Sequence, residues 1–403
     1  MARVLLASEL GTADSLLRRA LPLALALRDF GHEPLLMVTD LPKAEALFGE
    51  HGLRLLQCPL WRSRVSGLPP VHTYTDLMLR CGFAQAQGLR SLARAWRDLV
   101  ELLRPALLVL DHAPVALFAT RAMRLPRLRY GDGFGCPPLT TPMPSMTWWD
   151  DTPEPFDTIG ERNALHVANQ VAVELNLPAA RSIAELLRAE GEALCTLPEL
   201  DPYPQRQGGQ YCGVLRASTE GVDTPWPGGE SASCFVALGR KHPCLATLVD
   251  ALQAAGLRAV LQVPGCTPEQ AQALTAQGIV VARTPVPVAQ VLRHCSHAVV
   301  DGHPAIAQAL LLAGKPLLIL PTMLEQRMLA QRVRDLGLGL MAEASSSPDG
   351  VAELAKTLRR LIDEPGWTEA AQDFAGRHAE QSDRRTLALV LAQCDDLMAA
   401  ALG

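Results

Sequence analysis

The chain has 403 residues, a formal net charge of −5 and a charged share of 20%. At roughly 100–200 residues per domain, this length predicts two domains or three. The apolar share of 48% is typical of a folded globular protein and excludes long disordered segments. Because there is no basic excess, the composition argues against a protein that binds nucleic acid or a membrane surface through its charge.

The ten cysteines are scattered along the chain without a C-x-x-C pair, so we expect neither a zinc site nor a redox motif. Arg3 runs directly into the strand-like segment Val4–Ala7, and we therefore expect no secretory leader. No apolar run reaches the roughly 18–20 residues that cross a bilayer. These features predict free thiols in a reducing cytoplasm.

The N-terminal half alternates short apolar segments with amphipathic ones. The expected strands are Val4–Ala7, Pro34–Val38, Leu53–Gln57 and Ala106–Leu110. The expected helices are Leu16–Asp29, Lys43–His51, Ala84–Leu103 and Ala113–Met123. Repeated βα units of this kind predict an α/β fold, in which helices cover both faces of a parallel sheet.

The composition changes twice along the chain. Residues 131–158 are rich in Pro, Thr, Asp and Trp and are predicted to form a long functional loop. Residues 218–233 are rich in Ser, Gly and Pro and are predicted to link two domains, 1–217 and 234–367, with a helical tail over 368–403. Ligands of doubly wound sheets bind beyond the carboxyl ends of the strands. We therefore expect a binding cleft between the domains.

The βα alternation restarts after the predicted linker. The expected strands are Cys234–Leu238, Ala259–Val263, Ile279–Ala282, His297–Val300 and Pro316–Leu320. The expected helices are Cys244–Ala255, Pro268–Gln277, Val288–His294 and Ala305–Ala313. Four arginines elsewhere are expected on a solvated surface, namely Arg121, Arg124, Arg127 and Arg129.

The strongest motif runs from Val286 to Leu340. A strand is predicted to end at Val300 and a helix to begin near Pro304. The turn between them would offer backbone N–H groups and the positive end of a helix dipole to a diphosphate. The turn itself reads D-G-H-P-A-I, from Asp301 to Ile306.

This segment resembles the nucleotide-sugar half of family 1 glycosyltransferases of the GT-B fold. Their pattern is V-P-x-x-x-L-L, then V-V-x-H-G-G-x-G-T, then A-G-V-P, then P-x-x-x-D-Q. The positions in register are Val286, Pro287, Leu292, Val299, Val300, Gly302, Ala313, Gly314, Pro316, Pro321, Glu325 and Gln326. The resemblance implies two facing Rossmann-like domains, with the helical tail crossing back onto the first.

The resemblance also implies a donor site. Residues beside the nucleobase would be Pro285, Val286 and Val288. Residues at the diphosphate would be Gly302, His303 and Ala305, and residues at the donor sugar would be Glu325 and Gln326. No cofactor or metal is implied, and the donor would be a nucleoside diphosphate sugar, with UDP or dTDP expected before GDP.

One departure from the family pattern lies at the diphosphate. Asp301 stands where the family has histidine, and its charge would repel a phosphate unless it is paired. His303 would supply a cation slightly later in the turn. The alternative is an ordinary βα turn with an aspartate cap and proline at the first helical position.

A second departure lies at the N-terminus. Residues 9–24 resemble the pattern E-L-G-x-x-x-G-H-x-x-R-x-x-P-L-A, but Leu16 replaces the histidine that is the general base in family members. A leucine cannot move a proton. The substitutes are Asp14, Asp111 and His112. A helix cap at Asp111 and a hydrogen-bonded loop histidine at 112 are the alternatives.

A third match begins at Tyr130 and resembles the G-x-G-F-x-x-P-P stretch of related bacterial glycosyltransferases. The expected acceptor-side residues are Glu9, Gly11, Asp132, Phe134 and Trp148. The adjacent pair Trp148-Trp149 would either stack on an acceptor or anchor the long loop.

Three functions follow from these patterns. The leading one is transfer of a sugar from a nucleotide sugar to a small-molecule or other hydroxyl acceptor. The second is a catalytically degenerate homologue that serves as the binding or scaffold partner of an active enzyme. The third is a nucleotide-sugar epimerase. A homodimer or a partner protein is compatible with each, whereas a nucleic-acid partner is not expected.

Overall fold

The computed structural model describes residues 1–10, 13–62, 65–150, 155–216, 221–228, 233–276, 278–343 and 348–401, with backbone alone at 13–18, 155–158 and 348. The chain divides into two compact units. The first comprises Met1–Leu215 with Ser382–Gly403, and the second comprises Arg216–Gln381.

The first unit is built on a parallel sheet. Its strands are β1 (Arg3–Ser8), β2 (Glu33–Val38), β3 (Arg54–Gln57), β4 (Leu107–Asp111), β5 (Arg127–Gly131) and β6 (Gly191–Leu194). Its helices are α1 (Ala13–Asp29), α2 (Leu41–Phe48), α3 (Tyr74–Met78), α4 (Ala86–Leu103), α5 (Pro114–Thr120), α6 (Pro155–Glu174) and α7 (Ile183–Leu186). The strand order is β3-β2-β1-β4-β5-β6. Strands β1, β2 and β4 are buried along most of their length, as expected of strands covered on both faces.

The second unit repeats this plan. Its strands are β7 (Ser233–Ala237), β8 (Arg258–Gln262), β9 (Ile279–Ala282), β10 (His297–Val300), β11 (Leu317–Ile319) and β12 (Gly339–Met341). Its helices are α8 (Leu245–Ala254), α9 (Pro268–Leu274), α10 (Val288–His294), α11 (Pro304–Leu311), α12 (Leu324–Asp335), α13 (Pro348–Asp363) and α14 (Pro365–Arg377). The strands are parallel, in the order β12-β11-β10-β7-β8-β9. The α/β fold expected from the sequence is therefore confirmed.

Both sheets contain a point at which the chain reverses its direction of winding. In the first unit this point lies between β1 and β4, and in the second between β7 and β10. Ligands of open parallel sheets bind outside the carboxyl ends of the strands at such a point. Functional residues are therefore expected in the segments that follow β1, β4, β7 and β10.

The C-terminal part of the chain differs from the expected tail over 368–403. Helix α14 belongs to the second unit, whereas the last helix, α15 (Asp383–Ala400), belongs to the first and packs against α1. Buried Val390 and Cys394 carry this packing into the core of the first unit. The unit boundary thus lies at residue 381, because α14 contacts α11 and α13.

Two predicted irregular segments can be compared with the described residues. The expected loop 131–158 is shorter, since Gly131 ends β5 and α6 begins at Pro155. Part of the expected linker 218–233 lies outside the described residues, and its described part, 221–228, belongs to the second unit. There the Val222 N–H donates to the Pro285 carbonyl at 2.9 Å. Residues 221–228, called the strap below, are therefore hydrogen-bonded to the second unit.

Candidate functional site

A buried ion-pair cluster lies at the carboxyl ends of β4 and β5. Arg19 of α1 donates to both carboxylate oxygens of Asp111, from Nε at 3.1 Å and from Nη2 at 3.2 Å. Its Nη1 donates to Asp132, which follows β5. All three residues are less than 10% exposed. Arg19 therefore fastens the ends of two strands to the first helix.

This cluster governs the chemistry available to Asp111, which was expected as a catalytic base. Burial raises the pKa of Asp111 to about 6, and the charge of Arg19 opposes that rise. Two carboxylates share one guanidinium, so the three-residue cluster carries one surplus negative charge when both are ionised. Because both of its oxygens already accept hydrogen bonds from Arg19, Asp111 is better suited to a structural role than to accepting a proton.

Glu9 performs the capping role that was the alternative for Asp111. Its carboxylate accepts the backbone N–H groups of Val115 at 2.8 Å and Ala116 at 2.7 Å, at the start of α5. The N-cap residue of that helix, Ala113, has no side-chain bond to offer. Burial raises the pKa of Glu9 to about 8, against the opposing effect of these two N–H donors. The cap expected from Asp111 is therefore wrong, and Glu9 supplies it.

His112 has the most unusual environment of the expected site residues. Its backbone is left-handed, with a φ of 52°, and its side chain is buried. The ring lies 5.4 Å from the Tyr74 ring and 5.5 Å from the Phe134 ring, and Nε2 is buried without a hydrogen-bond partner. Burial lowers the pKa of His112 to about 3. Backbone outliers of this kind concentrate at functional sites.

The remaining acceptor-side residues are held by short-range contacts. Asp132 accepts the Phe134 N–H at 3.3 Å, and the Phe134 carbonyl accepts the Tyr203 hydroxyl at 3.2 Å. Trp148 meets Trp149 edge to face, with ring centroids 4.8 Å apart. Both tryptophans are half-buried. Of the other expected residues, Gly11 and the side chains of Asp14 and Leu16 lie outside the described part of the chain.

The turn after β10 brings Asp301, Gly302 and His303 together at the carboxyl edge of the second sheet. Asp301 Oδ1 accepts the His303 N–H at 2.9 Å, and His303 is the N-cap residue of α11. Pro304 occupies the first helical position and Ala305 follows it in the first turn. The carboxylate of Asp301 thus already bonds one N–H of the turn expected to bind phosphate.

Gly302 is required by the geometry of this turn. Its φ is +94°, and a Cβ there would lie 3.0 Å from Ile319 and 3.1 Å from Gln326. We expect Gly302→Ala to lower the free energy of unfolding by about 2 kcal/mol, because a strained backbone and a steric clash add up. Gly265→Ala is the control, since Gly265 has a φ of +74° and open space around it. If urea denaturation shows that Gly302→Ala and Gly265→Ala lose the same free energy of unfolding, the predicted steric clash is wrong.

Gln326, expected at the donor sugar, is occupied by a structural task. It is buried, and its Oε1 accepts the Thr322 N–H at 2.8 Å, the Thr322 hydroxyl at 3.1 Å and the Met323 N–H at 3.1 Å. This closes the N-terminus of α12 in the manner of a capping box. Glu325 precedes it in the first helical turn and is half-buried. Glu325 is therefore more accessible to solvent than Gln326.

The segment expected beside the nucleobase also has partners within the second unit. Pro285 is exposed, but its carbonyl accepts the Val222 N–H of the strap. Val286 is buried, and its N–H donates to Gln262 Oε1 at 2.7 Å. Val288 is half-buried at the start of α10. A nucleobase that hydrogen-bonded to these backbone groups would have to displace the existing bond to Val222 or to Gln262.

Sequence reasoning missed the turn that follows β7. Buried His242 accepts the Cys244 N–H at Nδ1, at 3.3 Å, so its Nε2 carries the proton and donates to the Leu320 carbonyl at 2.9 Å. Arg240 and Lys241 precede it in the turn. The available signal was a basic dipeptide shortly after an apolar strand, separated from β7 by Leu238 and Gly239.

The described residues hold no group of three or more His, Cys, Asp or Glu side chains arranged to bind a metal ion. All ten cysteines are buried, and none of them forms a disulfide. In the same part of the chain, no helix combines the length and apolar character needed to cross a membrane.

Comparison with known proteins gives a consistent result. The sequence matches no protein-family model and no curated protein. In structure, 97% of the chain superposes on 99% of the spinosyn rhamnosyltransferase SpnG complexed with thymidine diphosphate, with a TM-score of 0.69 and 20% identity. The calicheamicin glycosyltransferase CalG4 gives a TM-score of 0.69 at 18% identity, over 100% of this chain and 98% of that one.

A third neighbour is the glycosyltransferase SnogD from Streptomyces nogalater, which has a TM-score of 0.62 and 19% identity over 97% of this chain and 99% of its own. Identities this low establish a common fold. Each neighbour is matched over nearly its whole length, which confirms the α/β architecture expected from the sequence. The chain therefore has the GT-B fold of these glycosyltransferases.

Proposed function

We propose that this protein transfers a sugar, such as a hexose, from a nucleoside diphosphate sugar to the hydroxyl of a small acceptor. The acceptor oxygen would attack the anomeric carbon as the bond to the diphosphate breaks. Its proton would pass to a base of the first unit, and the nucleoside diphosphate would leave. The observation that carries the proposal is the glycine turn after β10, which places backbone N–H groups at the winding reversal of the second sheet. A neighbour of the same fold is complexed with thymidine diphosphate.

The donor would bind to the second unit. Gly302, His303 and Ala305 would meet the diphosphate at the start of α11, and Glu325 would meet hydroxyls of the sugar. Pro285, Val286 and Val288 would border the base. Gln326 would act on the donor through its position behind Gly302, because its amide oxygen already caps α12.

The acceptor would bind to the first unit, beside Phe134 and Trp148. His112 is our preferred contact for the acceptor hydroxyl, since its Nε2 is buried without a partner. Asp14 is the alternative base. Asp111 is a weaker choice because Arg19 holds both of its carboxylate oxygens. Those same bonds, with Leu16 at the position of the family histidine, favour a binding protein without activity as the second candidate.

Nucleotide binding is the test of the proposed function. We expect the purified protein to bind UDP or dTDP in calorimetric titrations, and to hydrolyse or transfer the sugar of a matching nucleotide sugar. Binding without turnover across a panel of sugars and hydroxyl acceptors would favour the binding protein. Failure to bind UDP, dTDP or GDP would contradict both functions.

A further inference from the structure

We infer that Arg240 and Lys241 supply positive charge for the donor diphosphate, in place of the family histidine whose position in the turn after β10 is taken by Asp301. The inference rests on the proposed function and adds the two residues that would fix the phosphates. It starts from the position of the turn that joins β7 to α8.

Arg240 and Lys241 occupy the two corner positions of a β-turn. The His242 N–H donates to the Gly239 carbonyl at 2.8 Å, which closes a four-residue turn around them. Buried Leu238 fixes the turn at one end, and buried His242 fixes it at the other. Both corner side chains are exposed. A rigid support under two long cationic side chains lowers the entropic cost of using them on a ligand.

The turn is pinned next to the expected phosphate site. His242 Nε2 donates to the Leu320 carbonyl at 2.9 Å, and the Leu320 N–H donates to the Val300 carbonyl, also at 2.9 Å. Val300 is the residue before Asp301, and it lies opposite Ala237 in the sheet register. The turns after β7, β10 and β11 are thereby tied together at the carboxyl edge.

The charges at this edge fit a phosphate ligand. Arg240 and Lys241 have no ion-pair or hydrogen-bond partner in the described part of the chain. Asp301, the acid of the neighbouring turn, directs Oδ1 to the His303 N–H. The two cations outnumber the single carboxylate of Asp301, so the turns after β7 and β10 together carry one positive charge when His242 and His303 are neutral. Guanidinium and ammonium groups bind phosphate oxygens through charge-assisted hydrogen bonds.

The alternative that these cations only keep the surface soluble makes a different prediction. Scattered surface cations would affect all ligands weakly, through screened long-range attraction. Cations that touch the diphosphate would distinguish UDP from UMP and from uridine. The number of phosphates on the probe is therefore the informative variable.

The experiment compares the double variant Arg240→Gln/Lys241→Gln with the wild type by calorimetric titration of UDP, UMP and uridine. We expect the double variant to bind UDP about tenfold more weakly or worse, as two charged hydrogen bonds are removed, and to bind uridine unchanged. Because both side chains are exposed, the fold should survive, and circular dichroism checks this. Each single variant should show part of the loss.

The matched control is Arg293→Gln/Lys356→Gln, which removes the same charge from exposed positions on the last turn of α10 and on α13. Asp301→Asn keeps an oxygen for the His303 N–H and should strengthen UDP binding about two- to fivefold. If the wild type binds UDP and the double variant binds it equally well, the inference is wrong while the proposed function stands. If the wild type binds neither UDP, dTDP nor GDP, both are wrong.

Discussion

Arg19→Met is expected to lower the free energy of unfolding by about 3–5 kcal/mol, the largest loss among the variants considered. Removing the guanidinium leaves Asp111 and Asp132 buried without their shared cation. Methionine keeps most of the apolar length of the arginine side chain. The loss of unfolding free energy therefore measures the removal of the charge and not a change in volume. Urea denaturation followed by circular dichroism measures it.

Arg54→Met is the matched control for Arg19→Met. Arg54 also forms a salt bridge in the first unit, to Glu33 at 2.9 Å, but its side chain is 70% exposed. Its removal should cost less than about 1 kcal/mol. Adding Asp111→Asn and Asp132→Asn to Arg19→Met should recover part of the stability, because the buried charges are then gone. Equal losses for the two arginine variants would show that the buried cluster is not an anchor.

The strands and most helices follow from local patterns in the sequence. Apolar runs such as Val4–Ala7 and His297–Val300 predict strands of a parallel sheet, and the structure has strands there. Helix α6 was missed because its first residues continue the proline-rich composition of the preceding loop. The composition of a segment reports its mean character and does not show where a helix begins.

Side-chain roles proved harder to predict than elements. Arg127 and Arg129 were expected in solvent, yet both are 4% exposed and face Glu190 and Glu192 from the neighbouring end of β6. The partners lie about sixty positions away in sequence, so only strand pairing brings them together. Arg127 and Arg129 can therefore be buried because the carboxylates of Glu190 and Glu192 balance their charges.

Partners that are distant in sequence also explain why the roles of residues in the candidate site of the first unit were hard to predict. Asp111 read alone suggests a base or a cap, and only the approach of Arg19 from α1 shows that it is an anchor. Gly302 was recognised because its role is local, in a turn that a motif describes. Residues whose function depends on a distant partner cannot be assigned from spacing.

Glu9→Gln is expected to change how stability depends on pH. Burial raises the pKa of Glu9 from 4.5 to about 8, so the folded chain keeps a proton that the unfolded chain has lost over this range. Unfolding then releases a proton, and stability falls as the pH rises from 5 to 8. Glutamine is uncharged throughout. The stability of Glu9→Gln relative to the wild type should therefore improve by about 3 kcal/mol between pH 5 and pH 8.

The way in which the stability difference between Glu9→Gln and the wild type changes with pH separates the titration of Glu9 from the loss of the helix cap. Glutamine replaces one of the two oxygens that accept the N–H groups of Val115 and Ala116 by an NH2 group, which cannot accept them. Because Glu9 stays protonated in the folded chain over this range, this cost is nearly the same at each pH. Urea denaturation at pH 5, 6.5 and 8 measures the slope. Glu101→Gln, at an exposed position on α4, should follow the wild type. A constant difference between Glu9→Gln and the wild type would mean that Glu9 is ionised in the folded state and that its two N–H donors outweigh burial.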